Sequence, residues 1–399
     1  MAPPLLNPRP NGRPSRSQEL LLRAALLDGE QAIRAWQEWR RIDAVATTDQ
    51  DSGRLFPLLC RNLLAIGVDD PDMPTLKGAY RHQWVANSQR LQRGAHALRA
   101  LSDGGIDTMV LKGAALIGRH YSDAGVRLMY DVDVLVRPEA VRAAAALLER
   151  EGWKQHVATS LDDLLPVIQG TRFADADGEA IDLHWHAMWS PAREDDFWSA
   201  AEPAEVGGVA TLRLAPADQL LHVCVHGVWS EGDRVRWVAD AITVLGTTPD
   251  LDWERVVRGA RARALTEPLL DALSYLRDAF AQPVPPGVVR SLREPRPGIL
   301  ERAGHIAWRI RPHRVRAAAL ALEHYRRQRL MAPAETQQAS LTGYLRSWAA
   351  ARWATGSRPE LFIQRVRRVF PRRIGSLRRR PDGRRRSTVR TPAPDARRP

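Results

Sequence analysis

Asp131-Val132-Asp133 is the segment of this 399-residue chain whose residue types and spacing most directly suggest chemistry. It lies in the run Arg127 to Val136, where Met129, Val132, Val134 and Val136 supply β-forming apolar side chains. Alternation along a strand would put both carboxylates on one face and the valines on the other. Two adjacent carboxylates repel, and each is strongly perturbed unless a cation lies between them. Mg2+ is the natural partner because it prefers carboxylate and phosphate oxygens, with Mn2+ as the alternative. A third carboxylate, Asp182, occupies a second apolar run, Ala180 to Trp185. There Ile181 and Leu183 point one way, leaving Asp182 and His184 on the opposite face. Three carboxylates on adjacent strands can hold two metal ions, which stabilise the attacking and leaving oxygens of phosphoryl transfer. An isolated Asp-x-Asp is more often a solvated edge-strand face than a metal site, so the surrounding residues decide between the two.

Some 18 residues before Asp131 stands Leu111-Lys112-Gly113-Ala114, at an expected strand-to-helix junction. A glycine there lets backbone amides approach phosphate oxygens, and Lys112 could neutralise triphosphate charge. Alone, a Lys-Gly pair reads as a turn. Arg127, four residues before Asp131, would share the carboxylate face of a continuous strand, either pairing with Asp131 or Asp133 or contacting phosphate. Arg119 is a weaker phosphate candidate. His184 would orient a carboxylate or meet an acceptor, or else be a hydrogen-bonded core histidine. His222 and His226, four apart on an expected helix, have metal-ligand spacing, but no third ligand accompanies them. A place in a cleft between sheet and helices suits them better than zinc. Arg236 and Asp240 read as an ordinary i, i+4 helical salt bridge.

The elements that must carry these residues fall into five stretches. Residues 1–17 read as a disordered leader. Residues 18–104 read as a helical N-terminal region, with helices over Gln18–Ile42 (weakened at Gly29), Phe56–Ile66 and Met73–Leu101, the last stopped by Ser102-Asp103-Gly104-Gly105. Residues 105–214 alternate strands and helices and form the expected catalytic core. Strands are expected at 106–111, 127–136, 153–158, 172–176, 179–185 and 209–214, with Asp177-Gly178 as a hairpin turn. Pro138 suits the first turn of a helix ending at Arg150. Residues 215–355 read as a helical C-terminal domain, broken by Pro283, Pro285 and Pro286, and residues 356–399 as an Arg-rich disordered tail. The fold class is therefore α+β, a small mixed β-sheet core flanked by N-terminal and C-terminal helical regions.

Taken together, these motifs resemble the polymerase-beta-like nucleotidyltransferase superfamily, whose signature is an apolar-Gly-small turn followed shortly by Asp-x-Asp on a strand. More narrowly, the chain is similar to a bacterial family usually labelled uncharacterised nucleotidyltransferase. The matching residues are Leu111-Lys112-Gly113, Tyr121, Arg127, Asp131 to Val136, Ile181 to Trp185, His222, His226 and Arg236 to Asp240, with Leu58 to Leu63 upstream. They cover roughly residues 50 to 280. The resemblance implies metal-dependent transfer of a nucleotidyl group from an NTP, ATP above all, to an unidentified acceptor. It implies that Asp131, Asp133 and Asp182 are catalytic and bind metal, and that Asp182 activates an acceptor hydroxyl or amine. It also implies that Lys112, Gly113, Ala114 and Arg127 lie at the nucleotide, with His184 accessory. Many active transferases have Ser after the glycine, where this chain has Ala114. The alternative reading is therefore a catalytically weak or inactive binding or adaptor protein.

Composition narrows the partners. The formal net charge is +13, but from Arg365 onward 14 arginines face only Asp382 and Asp395, so +12 of it belongs to the tail. Any nucleic-acid contact is expected through that tail alone, which has no aromatic stacking platform beyond Phe370; a solvated extension is the simpler reading. Most of the 13 tryptophans sit in helical or apolar runs, and core packing explains them. Cys60 and Cys224 are too few for a disulfide framework and fit buried thiols in a reducing cytoplasm. No apolar run approaches the roughly 20 residues of a membrane span.

Overall fold

Short apolar runs in the middle of the chain pair into one seven-stranded mixed sheet. The computed structural model describes residues 13–354, apart from 158, 179, 189–191, 230–233, 310–312 and 332–339. The strands are β1 (Met109–Leu111), β2 (Val132–Leu135), β3 (Lys154–Gln155), β4 (Gly170–Ala174), β5 (Ala180–His184), β6 (Glu202–Val206) and β7 (Val209–Arg213), in the order β3-β4-β5-β2-β1-β7-β6. β2–β5 and β1–β7 are parallel; the other four pairings are antiparallel. Helices before and after the sheet complete a mixed α+β fold, as the periodicity predicts.

Period-2 alternation sorts the central strands between two cores. Val132, Val134 and Val136 join Val110, Ile181 and Leu183 in a cluster with Ala97, Leu98 and Leu101 of the helix Met73–Asp103 and with the helix Val141–Arg150. Gly94 explains how closely that long helix approaches: a Cβ there would lie 2.8 Å from Cγ2 of Val132. On the opposite face, Met109, Leu111 and Leu135 join a second cluster. In it, Trp36, Trp39, Leu59 and Leu63 of the N-terminal helices pack with Leu220, Leu221, Trp237 and Leu273 of the later ones. The N-terminal and C-terminal helices thus share one core against one face of the sheet.

Local signals explain most boundaries. The first helix, Arg16–Leu26, opens on a capping box in which Ser15 Oγ accepts from Gln18 N and Gln18 Oε1 accepts from Ser15 N. It begins inside the stretch read as a leader. The hairpin at Asp177-Gly178 forms, with Gly178 at φ +83°. The expected strand at 127–136 contracts to Val132–Leu135, because Asn87 Nδ2 donates to the carbonyls of Ala124 and Arg127 and holds that segment as a loop. Strand β6 is unanticipated. Its Pro203 and two glutamates look nothing like a strand, yet an edge position tolerates them. Gly207 and Gly208, both at positive φ, form the two-residue turn into β7. The helix Pro286–Arg293 begins where prolines suggested only a break, since Pro is well placed in a first helical turn. Residues 1–12 and 355–399, including the Arg-rich tail, lie outside the described residues.

Candidate active site

Register brings the carboxylates together. In the parallel pairing of β2 with β5, Asp133 stands opposite Asp182, so both side chains leave the same face of the sheet. It is the face covered by the N-terminal and C-terminal helices. His184, two residues along β5, projects from that face too, and its Nε2 lies 3.0 Å from Oδ1 of Asp133. Asp131 precedes the strand by one residue and is half-buried, as is Asp182, whereas Asp133 is only 3% exposed. Arg172 on β4 faces Asp182 across the antiparallel pair. One ligand atom each from Asp133, Asp182 and His184 falls within 4.8 Å of the others, a grouping able to hold a metal ion. Among the described residues it is the cluster of that kind.

Lys112 closes the other side. It follows β1 and opens the short helix Lys112–Leu116 at φ +46°, an uncommon conformation for a side-chain-bearing residue. Its Nζ donates to Oδ1 of Asp133 at 2.5 Å. An ammonium therefore lies against the carboxylate that a metal ion would use. The electrostatics follow from that crowding. Burial, then the charges of Asp133 and Asp182, push Asp131 up to about 6. Asp182 is raised by burial and then by Asp133. Burial presses Asp133 upward as well, but Lys112 and the hydrogen bond with His184 overcome it and hold its carboxyl well below the usual range. Lys112, which burial alone would lower, is raised by the three aspartates.

Two expectations give way to a different arrangement. Arg127 lies outside β2 and turns from Asp131 and Asp133: its Nε and Nη2 donate to Oδ1 and Oδ2 of Asp240 at 2.8 and 2.7 Å. The Tyr121 hydroxyl donates to Oδ1 of Asp240 at 2.9 Å. The expected Arg236–Asp240 helical pair is thus replaced by a buried clasp between the loop before β2 and the helix Arg236–Gly246, and Arg236 Nη1 reaches the Leu128 carbonyl. Gly113 stands under the clasp, where a Cβ would lie 2.4 Å from Sδ of Met129 and 2.6 Å from Nη1 of Arg127. The space it leaves is taken by side chains. Ala114 is buried in the apolar cluster beneath the sheet. Arg119 Nε donates to Glu202.

His222 and His226, on the helix Pro216–Trp229, line a small cavity with Lys112, Arg127, Arg236, Trp237 and Asp240. The sequence did not single out Glu194. Its buried carboxylate accepts from the amides of Ala187 and Met188, pinning the chain that leaves β5, and burial pushes it up to about 7. Nor did it single out Arg172, whose alternation with buried Thr171 and Phe173 was the available signal.

A family profile described as an uncharacterised nucleotidyltransferase matches residues 37–281. No curated protein matches the chain. Solved structures it is similar to include the antibiotic-resistance factor ANT(2'')-Ia, at 16% identity over 47% of this chain and 97% of that one, with a TM-score of 0.33. Another is an antigenic nucleotidyltransferase-like protein from Paracoccidioides brasiliensis, at 16% identity over 52% of this chain and 94% of that one, with a TM-score of 0.32. Among the described residues, no helix is long and apolar enough to cross a membrane.

Proposed function

Because this chain belongs to the uncharacterised nucleotidyltransferase family, we propose that it transfers an NMP group from an NTP, ATP foremost, to an acceptor hydroxyl or amine in a metal-dependent reaction. The observation that carries the proposal is the register of Asp133 against Asp182, with Lys112 Nζ already seated on Asp133. The donor set suits a divalent cation: the buried Asp133 and the half-buried Asp131 and Asp182 repel one another and draw a positive charge toward themselves. Asp133 and Asp182 would hold it, with Asp131 flanking them and His184 orienting Asp133 through its ring nitrogen. Such a cation, Mg2+ or Mn2+, would supply Lewis-acid stabilisation of phosphate oxygens.

The remaining steps belong to the chain. Lys112 would pair with the phosphate tail once its hold on Asp133 is released. The acceptor oxygen or nitrogen attacks the α-phosphorus, the bond from that phosphorus to the bridging oxygen breaks, and pyrophosphate leaves. Asp182, opposite Asp133 on the same face, takes the acceptor proton. Gly113 and Arg127 support this corner by packing and by the clasp to Asp240.

The test is to incubate the protein with labelled ATP and candidate acceptors, with Mg2+, with Mn2+ and with a chelator. Metal-dependent transfer of label that disappears in Asp133→Asn is the expected result. Equal nucleotide binding by wild type and variant, without metal dependence in either, would overturn the proposal. A second reading is a nucleotide-binding protein without turnover. Ala114 favours it, since no hydroxyl follows Gly113 to donate to phosphate. Metal-dependent labelling of any component of a cell extract would exclude that reading.

A further inference from the structure

His222 poses a question that the carboxylate site leaves open. Its side chain is only 1% exposed, and neither ring nitrogen makes a hydrogen bond. The backbone of Ala187 is a polar group that acts on the ring from outside the cavity lining. Burial, and then the charge of Lys112, push His222 down to about 3, so the ring is neutral and carries one N–H donor. Leaving that donor buried and unused is unfavourable.

His222 lines a cavity together with Lys112, Arg127, Arg236 and His226. His226 stands one helical turn on, its ring centroid 6.0 Å from that of His222, and is exposed at the mouth. The cavity volume is about 30 Å³, larger than the roughly 10–15 Å³ needed for one water. Among the described residues, Asp240 on the cavity wall is engaged by Arg127 and Tyr121, and Asp133 next to Lys112 is engaged by Lys112 and His184. What the walls offer is donors and positive charge.

We propose that this cavity is an oxyanion subsite, in which His222 and His226 donate ring N–H groups to a phosphate-type group and Lys112 supplies the charge. Lys112 belongs to both places, since its Nζ bonds Asp133 and its side chain lines the cavity, so the bound oxyanion lies beside the carboxylates. The assignment deepens the nucleotidyl-transfer reading and rests on it only for the source of the anion. That source is either the phosphate tail of the nucleotide or an anionic group on the acceptor.

The test is calorimetric titration of inorganic pyrophosphate into the full chain in a chelating buffer. Wild type is expected to bind, with at least tenfold weaker binding in His222→Gln and in His226→Gln, the latter at an exposed position where folding is not at stake. The ring 15N resonances of His222 are expected to shift on addition of pyrophosphate to wild type. Asp133→Asn, which removes a negative charge beside Lys112, is expected to bind pyrophosphate at least as tightly while losing Mn2+, followed by electron paramagnetic resonance. No pyrophosphate binding by wild type, equal binding by both histidine variants, or loss of the anion with the metal in Asp133→Asn would overturn the subsite. Failure of Mn2+ to bind wild type would instead overturn the nucleotidyl-transfer reading and leave the subsite standing. A saturating non-hydrolysable ATP analogue then identifies the source. Displacement of pyrophosphate assigns the oxyanion to the nucleotide, and simultaneous binding assigns it to the acceptor.

Discussion

At the scale of single residues, the site is a contest for Asp133. Lys112 and His184 both bond its Oδ1, and a divalent cation would have to take the place of the ammonium. Replacing Lys112 by Met is therefore expected to tighten Mn2+ binding in the absence of nucleotide and to weaken ATP binding, each severalfold, as read by titration calorimetry. Asp131 adds a pH dependence of definite sign. Its carboxyl is raised to about 6 in the folded chain, above the ordinary 3.8, so between those values the folded state holds the extra proton. Metal-free stability should therefore fall as pH rises from about 4 through 6, where the unfolded chain has already given that proton up. A cation beside the ionised carboxylate reverses the cost. The rise in melting temperature produced by Mn2+ is expected to be larger at pH 7 than at pH 5, and Asp131→Asn should flatten the difference.

At the scale of elements, the clasp of Arg127, Tyr121 and Asp240 ties the loop before β2 to the helix Arg236–Gly246. The pair is buried and bidentate, so removing one member takes two charge-assisted hydrogen bonds from the other. Asp240→Asn is expected to destabilise the protein by about 3–5 kcal/mol in urea unfolding. The double change Arg127→Met with Asp240→Leu should cost less than either single change, because it leaves no uncompensated charge. A smaller effect belongs to the long helix. A Cβ at residue 94 would meet Val132 Cγ2 at 2.8 Å and its Cβ at 3.1 Å, one position from Asp133. Gly94→Ala is expected to cost about 1–3 kcal/mol through overpacking, and to weaken Mn2+ binding if β2 yields.

At the scale of the whole molecule, helices far apart in sequence cover the carboxylate face jointly. Trp36, Trp39, Leu59 and Leu63 share one buried cluster with Leu220, Leu221 and Leu273. A chain beginning at Met73 is therefore expected to lose cooperative unfolding and to bind a hydrophobic dye, since the later helices would expose the surface those side chains cover. The parts legible in the sequence were those governed by local physics. Period-2 alternation placed Asp133, Asp182 and His184 on one face, helical spacing marked the long helices, and Gly-containing turns marked their ends. Asp240 shows the limit of that reading. Its i, i+4 neighbour Arg236 was the partner expected from spacing, yet Arg127, 113 residues away, takes the carboxylate. The same holds for Gly113, whose missing side chain makes room for Arg127 and Met129. For His222, spacing suggested a cleft but named none of its walls. Strand and helix periods follow from the residue itself and its near neighbours, so the sequence alone determined which side chains share a face. Which charge meets which, and what fills the space beside a glycine, depends on contacts between segments far apart in the chain, and only the tertiary structure decided those.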